Sequence, residues 1–249
     1  MSYRPKLIAT DLDGTICPHA APISKRTIAT LTRAHEMGVK VFFVTGRPPR
    51  WMGQIKEAFN FGQAICSNGG ILWDLQREEV LEEWRITPAL MRETVTKLRK
   101  AIPEIHFAFE NHGDFRREKL YVARWDLGVD IDGVEDILDY SQNGAVKLLA
   151  RGSDKLFNSD EMLEVAQREV GEIVTVTHSN PWESLLEISA HGVSKGDTLS
   201  IICERLQIDR EDVVAFGDNP NDFSMLEFAG RSYAMSDGHP DAIKYATAS

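Results

Sequence analysis

Asp11 and Asp13 stand two residues apart in Asp11-Leu-Asp-Gly-Thr15, directly after the apolar run Leu7-Ile-Ala-Thr10. On an extended backbone that spacing turns both carboxylates to one side. One could then serve as a covalent nucleophile and its neighbour as an acid or base. An Asp followed by Gly is also a common turn-forming pair. A second pair, Asp218 and Asp222, lies in Gly217-Asp-Asn-Pro-Asn-Asp222 and offers the oxygen ligands that Mg2+ prefers. With Asn219 as N-cap and Pro220 at the first helical position, Asp222 reads equally as a helix-capping carboxylate. Thr45-Gly-Arg47 adds a hydroxyl and a glycine: Gly46 permits the close backbone approach that cradles a phosphate, and Thr45 could simply cap the next helix. In Gly192-Val-Ser-Lys-Gly196, Ser194 and Asp197 form a capping box that places Lys195 in a first helical turn. That end of a helix attracts anions, so a cation there implies an anionic partner, unless Lys195 is an ordinary surface lysine.

These residues need strands and helices that deliver them to one place. Residues 7–10, 39–44 and 63–67 are short apolar runs that read as buried strands, with helical patterns at 24–37 and about 49–60 between them. The β-α-β-α-β order implies a parallel sheet with right-handed crossovers. Residues 71–84 read as paired strands around a turn, and Thr87-Pro88 opens a helix as N-cap and first residue. From about 104 to 188 strands come in pairs, at 106–109, 119–123, 145–150, 173–177 and 184–188, with helices between them. After residue 190 the first rhythm returns as helix 194–206, strand 212–216, helix 220–229, a strand near 232–235 and a terminal helix. The expected fold class is α/β: a doubly wound, mostly parallel, Rossmann-like core interrupted by an inserted α+β domain. In such sheets ligands bind outside the carboxyl ends of the strands. Asp11, Thr45, Ser67-Asn-Gly-Gly70 and Gly217-Asp218 all fall at such ends.

Composition narrows the function. The chain of 249 residues carries 28 Lys+Arg against 38 Asp+Glu, a net charge of -10, which lacks the basic footprint of a nucleic-acid or anionic-membrane binder. Hydrophobic residues at 43% and charged residues at 27% exclude disorder, collagen and coiled coil. Cys17, Cys66 and Cys203 are scattered without a CxxC pair, which argues against a disulfide scaffold or a zinc site and suits a reducing cytosol. No signal-peptide core or apolar run of about 18 residues occurs, so a cytoplasmic protein is expected. Asp130-Ile-Asp-Gly133 copies the first motif's spacing, but no apolar strand leads into it, and a calcium loop would need Glu where Ser141 stands. The seven histidines, His19 among them, show no ligand spacing, and Trp51 and Trp182 read as packing residues.

Taken in order, Asp11-Leu-Asp-Gly-Thr15, Thr45-Gly-Arg47, Lys195 and Gly217-to-Asp222 resemble the four motifs of the haloacid dehalogenase (HAD) superfamily. Asn68-Gly69, the place of the insertion and Phe223-Ser-Met-Leu226 resemble its Cof-type, class IIB branch. The resemblance covers residues 5–75 and 184–247; Ile16 and Asn219-Pro220 depart mildly from the usual pattern while keeping its spacing. It implies a Mg2+-dependent phosphatase acting on small phosphate monoesters, such as a sugar phosphate, nucleotide or phosphorylated cofactor, through an aspartyl-phosphate. By that likeness Asp11 is the nucleophile and Asp13 the acid/base. Asp11, the Asp13 carbonyl, Asp218 and Asp222 would hold or order the metal, and Thr45, Gly46, Lys195 and Asn221 would bind the phosphate. The expected division is a core of residues 1–82 and 187–249 around a cap at 83–186 that closes over the site and chooses the substrate. The expected partner is a small phosphorylated metabolite, with no nucleic acid or membrane, in a monomer or small homo-oligomer. A phosphomutase would use the same intermediate, and a Mg2+-binding regulatory module phosphorylated on Asp is the reading from another class.

Overall fold

A computed structural model describes residues 3–18, 21–124 and 132–248. His19, Asp126, Asp130 and Ile131, and with them half of the Asp130-to-Gly133 motif, lie outside the described residues. The chain divides into two compact units, Met1–Glu82 with Ser194–Ser249, and Glu83–Val193.

The first unit begins with β1 (Leu7–Thr10), crosses through α1 (Lys25–Glu36) to β2 (Lys40–Val44), and through α2 (Gly53–Ala58) to β3 (Gln63–Cys66). Ser24 caps α1 by accepting from the Thr27 N–H, and Gly38 takes the left-handed φ of +85° that lets the chain turn back towards β2. The strands β4 (Ile71–Asp74) and β5 (Glu79–Glu83) follow.

In the second unit α3 (Pro88–Ala101), capped by Thr87, precedes β6 (His106–Glu110), β7 (Phe115–Arg117) and β8 (Lys147–Arg151). Next come α4 (Ser159–Val170), β9 (Val174–Thr177) and β10 (Leu185–Ala190). These strands form an antiparallel sheet ordered β7-β6-β8-β10-β9. Met91, Val95 and Leu98 of α3 and Met162 and Ala166 of α4 bury their apolar stripes in one cluster with Phe107, Leu148, Ala150 and Ile188.

Three sequence expectations change here. Residues 119–123 form no strand. The edge strand is β7, which pairs Phe115 with Glu110 and Arg117 with Ala108. The alternation Leu120-Tyr121-Val122 resembles a strand, yet Leu120 is 68% and Val122 63% exposed, and the Tyr121 N–H closes a turn on the Glu118 carbonyl. The return to the first unit falls at Ser194 instead of residue 187, because β10 stays paired along its length, with Ile188 opposite Leu148 and Ala190 opposite Val174. Trp182, expected to pack, is 88% exposed.

The chain then re-enters the first unit through α5 (Lys195–Leu206), β11 (Val213–Gly217), α6 (Phe223–Phe228), β12 (Arg231–Ala234) and α7 (Ala242–Tyr245). The completed sheet runs β12-β11-β1-β2-β3-β4-β5. Its pairs from β12 to β3 are parallel and β4 is antiparallel to β3, so the fold is α/β with a mostly parallel core. Among the described residues no helix is long and apolar enough to cross a membrane.

Truncating a fully buried α3 side chain tests the second unit's core. Leu98→Ala should lower unfolding stability by about 2–5 kcal/mol, read as a shift of the urea midpoint; an unchanged midpoint would mean that α3 does not pack as described.

Candidate active site

Parallel pairing puts the ends of neighbouring strands at one level. In β1 and β11 Thr10 lies opposite Phe216, and the Asp11 N–H donates to the Phe216 carbonyl at 2.9 Å. Asp11 and Asp218 thus leave adjacent strands side by side, and Asp222 comes back to them from the single turn Pro220–Asp222. All three are buried, and they offer carboxylate oxygens within 4.8 Å of one another.

Ser194 caps α5, its Oγ accepting from the Asp197 N–H at 3.1 Å and donating to Asp197 Oδ2 at 2.5 Å. Lys195 therefore begins the helix, and its ammonium donates to Asp11 Oδ1 and Asp222 Oδ1, each at 2.6 Å. The side chain is wholly buried, so the surface-lysine alternative does not hold; among the described residues, its anionic partners are these two carboxylates. Burial alone would push this ammonium down, but Asp11 and Asp222 outweigh it and hold it charged, above lysine's usual range.

Asp222 realises its capping reading with one oxygen and pairs with Lys195 through the other. Oδ1 meets Lys195, while Oδ2 accepts from the Asp218 N–H at 2.9 Å and the Asn219 N–H at 3.1 Å. Asp218 is further tied by Thr15 Oγ1 at 3.2 Å and Asn219 Nδ2 at 2.6 Å. Burial, reinforced by the neighbouring Asp222 and opposed by Lys195, raises Asp218 from 3.8 to about 7, and burial likewise raises Asp11 against the pull of Lys195. Gly14 makes this approach possible. At φ +87° a Cβ would stand 2.3 Å from Asp218 Oδ2.

Asp13 does not join the three. The chain folds tightly after Leu12, whose carbonyl accepts from the N–H groups of Thr15, Ile16 and Cys17. The half-exposed Asp13 carboxylate meets Arg47, with Nε at 2.8 Å from Oδ2 and Nη2 at 2.5 Å from Oδ1. This two-point grip was missed in the sequence, although Arg47 stands beside Thr45 and Gly46 in their motif. Thr45 is buried, and its Oγ1 accepts from the Arg47 N–H at 3.0 Å within the bend at Gly46; it caps no helix, because the N-cap positions of the next helical turn and of α2 are Pro48 and Met52. A hydroxyl that accepts keeps its own hydrogen to donate. Asn221 is buried and donates from Nδ2 to Asn68 Oδ1 at 3.1 Å, which brings the end of β3 into the same cluster.

The arrangement is that of a doubly wound sheet with acids, a lysine and hydroxyls gathered at its carboxyl edge, a class whose members react at that edge. A family model of haloacid dehalogenase-like hydrolases matches residues 8–249. Among curated proteins, the 5-amino-6-(5-phospho-D-ribitylamino)uracil phosphatase YitU of Bacillus subtilis is 27% identical over 263 residues, spanning 98% of this chain and 91% of its own. Two solved structures share the fold. BT1666 from Bacteroides thetaiotaomicron, a phosphatase of the HAD superfamily, aligns with a TM-score of 0.80 at 21% identity over 99% of this chain and 90% of its own. The HAD subclass IIB sugar phosphatase BT4131 aligns at 0.78 with 20% identity over 98% and 92%. The chain belongs to the haloacid dehalogenase-like hydrolases, and it is a phosphatase.

The donor set fits a divalent cation. Three buried carboxylates face a single ammonium, and Asp11 Oδ2 is buried with no hydrogen-bond partner among the described residues. A hard cation would occupy such an oxygen-only cluster and relieve its excess charge. The consequence is measurable. Asp218 titrates near 7 when folded and 3.8 is its ordinary value, so the folded state holds a proton that the unfolded state has released. Metal-free protein should therefore lose thermal stability as pH rises through about 4 to 7. Saturating Mg2+ should flatten that fall by favouring the ionised carboxylates; melting curves of equal slope with and without Mg2+ would contradict the assignment.

Proposed function

We propose that the protein is a Mg2+-dependent phosphohydrolase that cleaves small phosphate monoesters through an aspartyl-phosphate on Asp11. The observation that carries this reading is the state of the Asp11 carboxylate: Oδ1 is held by the buried Lys195 ammonium at 2.6 Å, and Oδ2 has no partner among the described residues. One oxygen is oriented and the other left free at a strand end, as a positioned nucleophile requires.

In the first half-reaction an Asp11 carboxylate oxygen attacks phosphorus in line, and the bond to the leaving oxygen breaks as Asp13 supplies it with a proton. In the second, Asp13 takes a proton from water, the water oxygen attacks the same phosphorus, and the bond to Asp11 breaks to give free phosphate. Arg47 orients the Asp13 carboxylate through its two hydrogen bonds for the second step, in which Asp13 acts as the base. Lys195, Thr45, the Gly46 backbone and Asn221 bind the transferring phosphoryl oxygens, where charge must be met by fixed donors. Asp11, the Asp13 carbonyl, Asp218 and Asp222 would hold the Mg2+ ion or its waters. When bound, the ion would neutralise charge on the phosphoryl group and keep the crowded carboxylates ionised.

The substrate class that fits is a small phosphorylated metabolite: a sugar phosphate, a nucleotide or a phosphorylated cofactor. The relative YitU, named for a phosphoribityl-aminouracil, supports that range. Three buried cysteines suit work in a reducing cytoplasm.

Removing the nucleophile should be decisive. Asp11→Asn should drop phosphate release from p-nitrophenyl phosphate at least about 10⁴-fold, while EDTA silences the native protein and Mg2+ restores it. Substantial turnover by the variant would refute the role of Asp11, and activity indifferent to EDTA would refute the metal.

A further inference from the structure

Ser67, Asn68 and Gly69 follow β3 with three consecutive left-handed φ angles, +53°, +56° and +105°. For two residues bearing side chains, such backbone persists only where its surroundings enforce it, and it concentrates at functional sites. Here the enforcement is visible. The Ser67 N–H donates to the Arg47 carbonyl and the Asn68 N–H to the Thr45 carbonyl, both at 3.0 Å. The Gly69 carbonyl accepts from Thr198 Oγ1 of α5 at 2.9 Å, and a Cβ on Gly69 would stand 2.3 Å from the Ser194 carbonyl. Asn68 is thereby pinned between the segments that carry Thr45 and Lys195, and its side chain reaches Asn221.

The buried Asn68 side chain is only half satisfied. Oδ1 accepts from Asn221 Nδ2, but among the described residues Nδ2 has no partner, and neither does the Ser67 hydroxyl beside it or Asn221 Oδ1. Turning both amides over exchanges their roles and still leaves one unpaired amide N–H group and one unpaired carbonyl. An amide donor is rarely buried without an acceptor, and the segments hydrogen-bonded to this one carry Thr45, Lys195 and Asn221, the proposed phosphate-binding residues. We infer that the Asn68 side-chain amide is a further catalytic residue, donating a hydrogen bond to an oxygen of the transferring phosphoryl group. Ser67 and Asn68 take left-handed backbone to present it. The inference rests on the proposed phosphoryl transfer and adds a donor to that site.

Two variants separate the amide from the backbone. Asn68→Gly removes the side chain at a φ that glycine adopts freely, so it should fold. Asn68→Asp keeps the shape and the acceptor for Asn221 while replacing the donor with an anion. Both should lower kcat on p-nitrophenyl phosphate by about 10²–10³-fold, the usual cost of one donor to a developing oxyanion. Both should also weaken inhibition by orthovanadate, a mimic of the transferring group, by about tenfold or more. Variants that match the native protein in kcat and vanadate inhibition would overturn the inference and leave the proposed function standing. Phosphate release by Asp11→Asn would overturn the reading beneath it, and vanadate affinity would still judge the amide.

Discussion

A buried ammonium must be matched by charge, because taking an ion out of water costs several kcal/mol unless partners replace its hydration. Lys195 meets that demand with Asp11 and Asp222 at 2.6 Å each, and the first unit is arranged around this closure. Asp11 leaves β1, Asp222 precedes α6 and Lys195 opens α5, so three segments far apart in sequence are fixed by two ion pairs. The arrangement does not close its own account: with Asp218 present, acids outnumber the lysine, and the remainder calls for a cation. The same constraint that shapes the fold therefore shapes the site.

Around that closure the backbone is held more tightly than ordinary loops are. Asp222 Oδ2 binds two N–H groups of the segment it follows, and the Asp218 carbonyl accepts from the His239 N–H at 2.7 Å. The segment Ser236-Asp237-Gly238 performs this wrapping, since a Cβ on Gly238 would lie 2.5 Å from the Asp218 carbonyl oxygen. Rigid elements hold reacting groups to a productive geometry better than mobile ones. Asp11, Asp218 and Lys195 each adjoin a strand or helix end.

The parts of this structure legible in sequence are those set by local chemistry. Short apolar runs ending in Asp, Thr or Ser announced the parallel strands, and Thr87-Pro88 and Ser194 announced helix starts through their caps. Carboxylate roles were readable as alternatives, and Asp222 shows why they stayed open: one oxygen caps and the other pairs with lysine. What was not legible depends on partners distant in the chain. Nothing near Asp13 says that Arg47 will grip both its oxygens. Nothing near Asn68 says that Asn221 will meet it across 153 residues. The strand expected at 119–123 failed for a related reason. Alternation is a local signal, but a strand exists only where a neighbour takes its hydrogen bonds, and β6 pairs with Phe115–Arg117 instead.

An acidic chain and an anionic substrate are compatible once charge is located. Residues 104–140 hold ten acids and four bases, yet several of those acids are already matched: Glu118 and Asp136 by Arg99, Glu135 by Lys119, Asp114 by Arg116. Except for Glu118, these carboxylates are at least 41% exposed, where salt screens them within about 8–10 Å. Asp11, Asp218 and Asp222 are buried, where screening is weak and a cation is strongly favoured. On the proposed reading, a phosphoryl group entering such a site would meet the lysine and the cation that the acids recruit, so the carboxylates that lower the net charge would also be the groups that make anion binding possible.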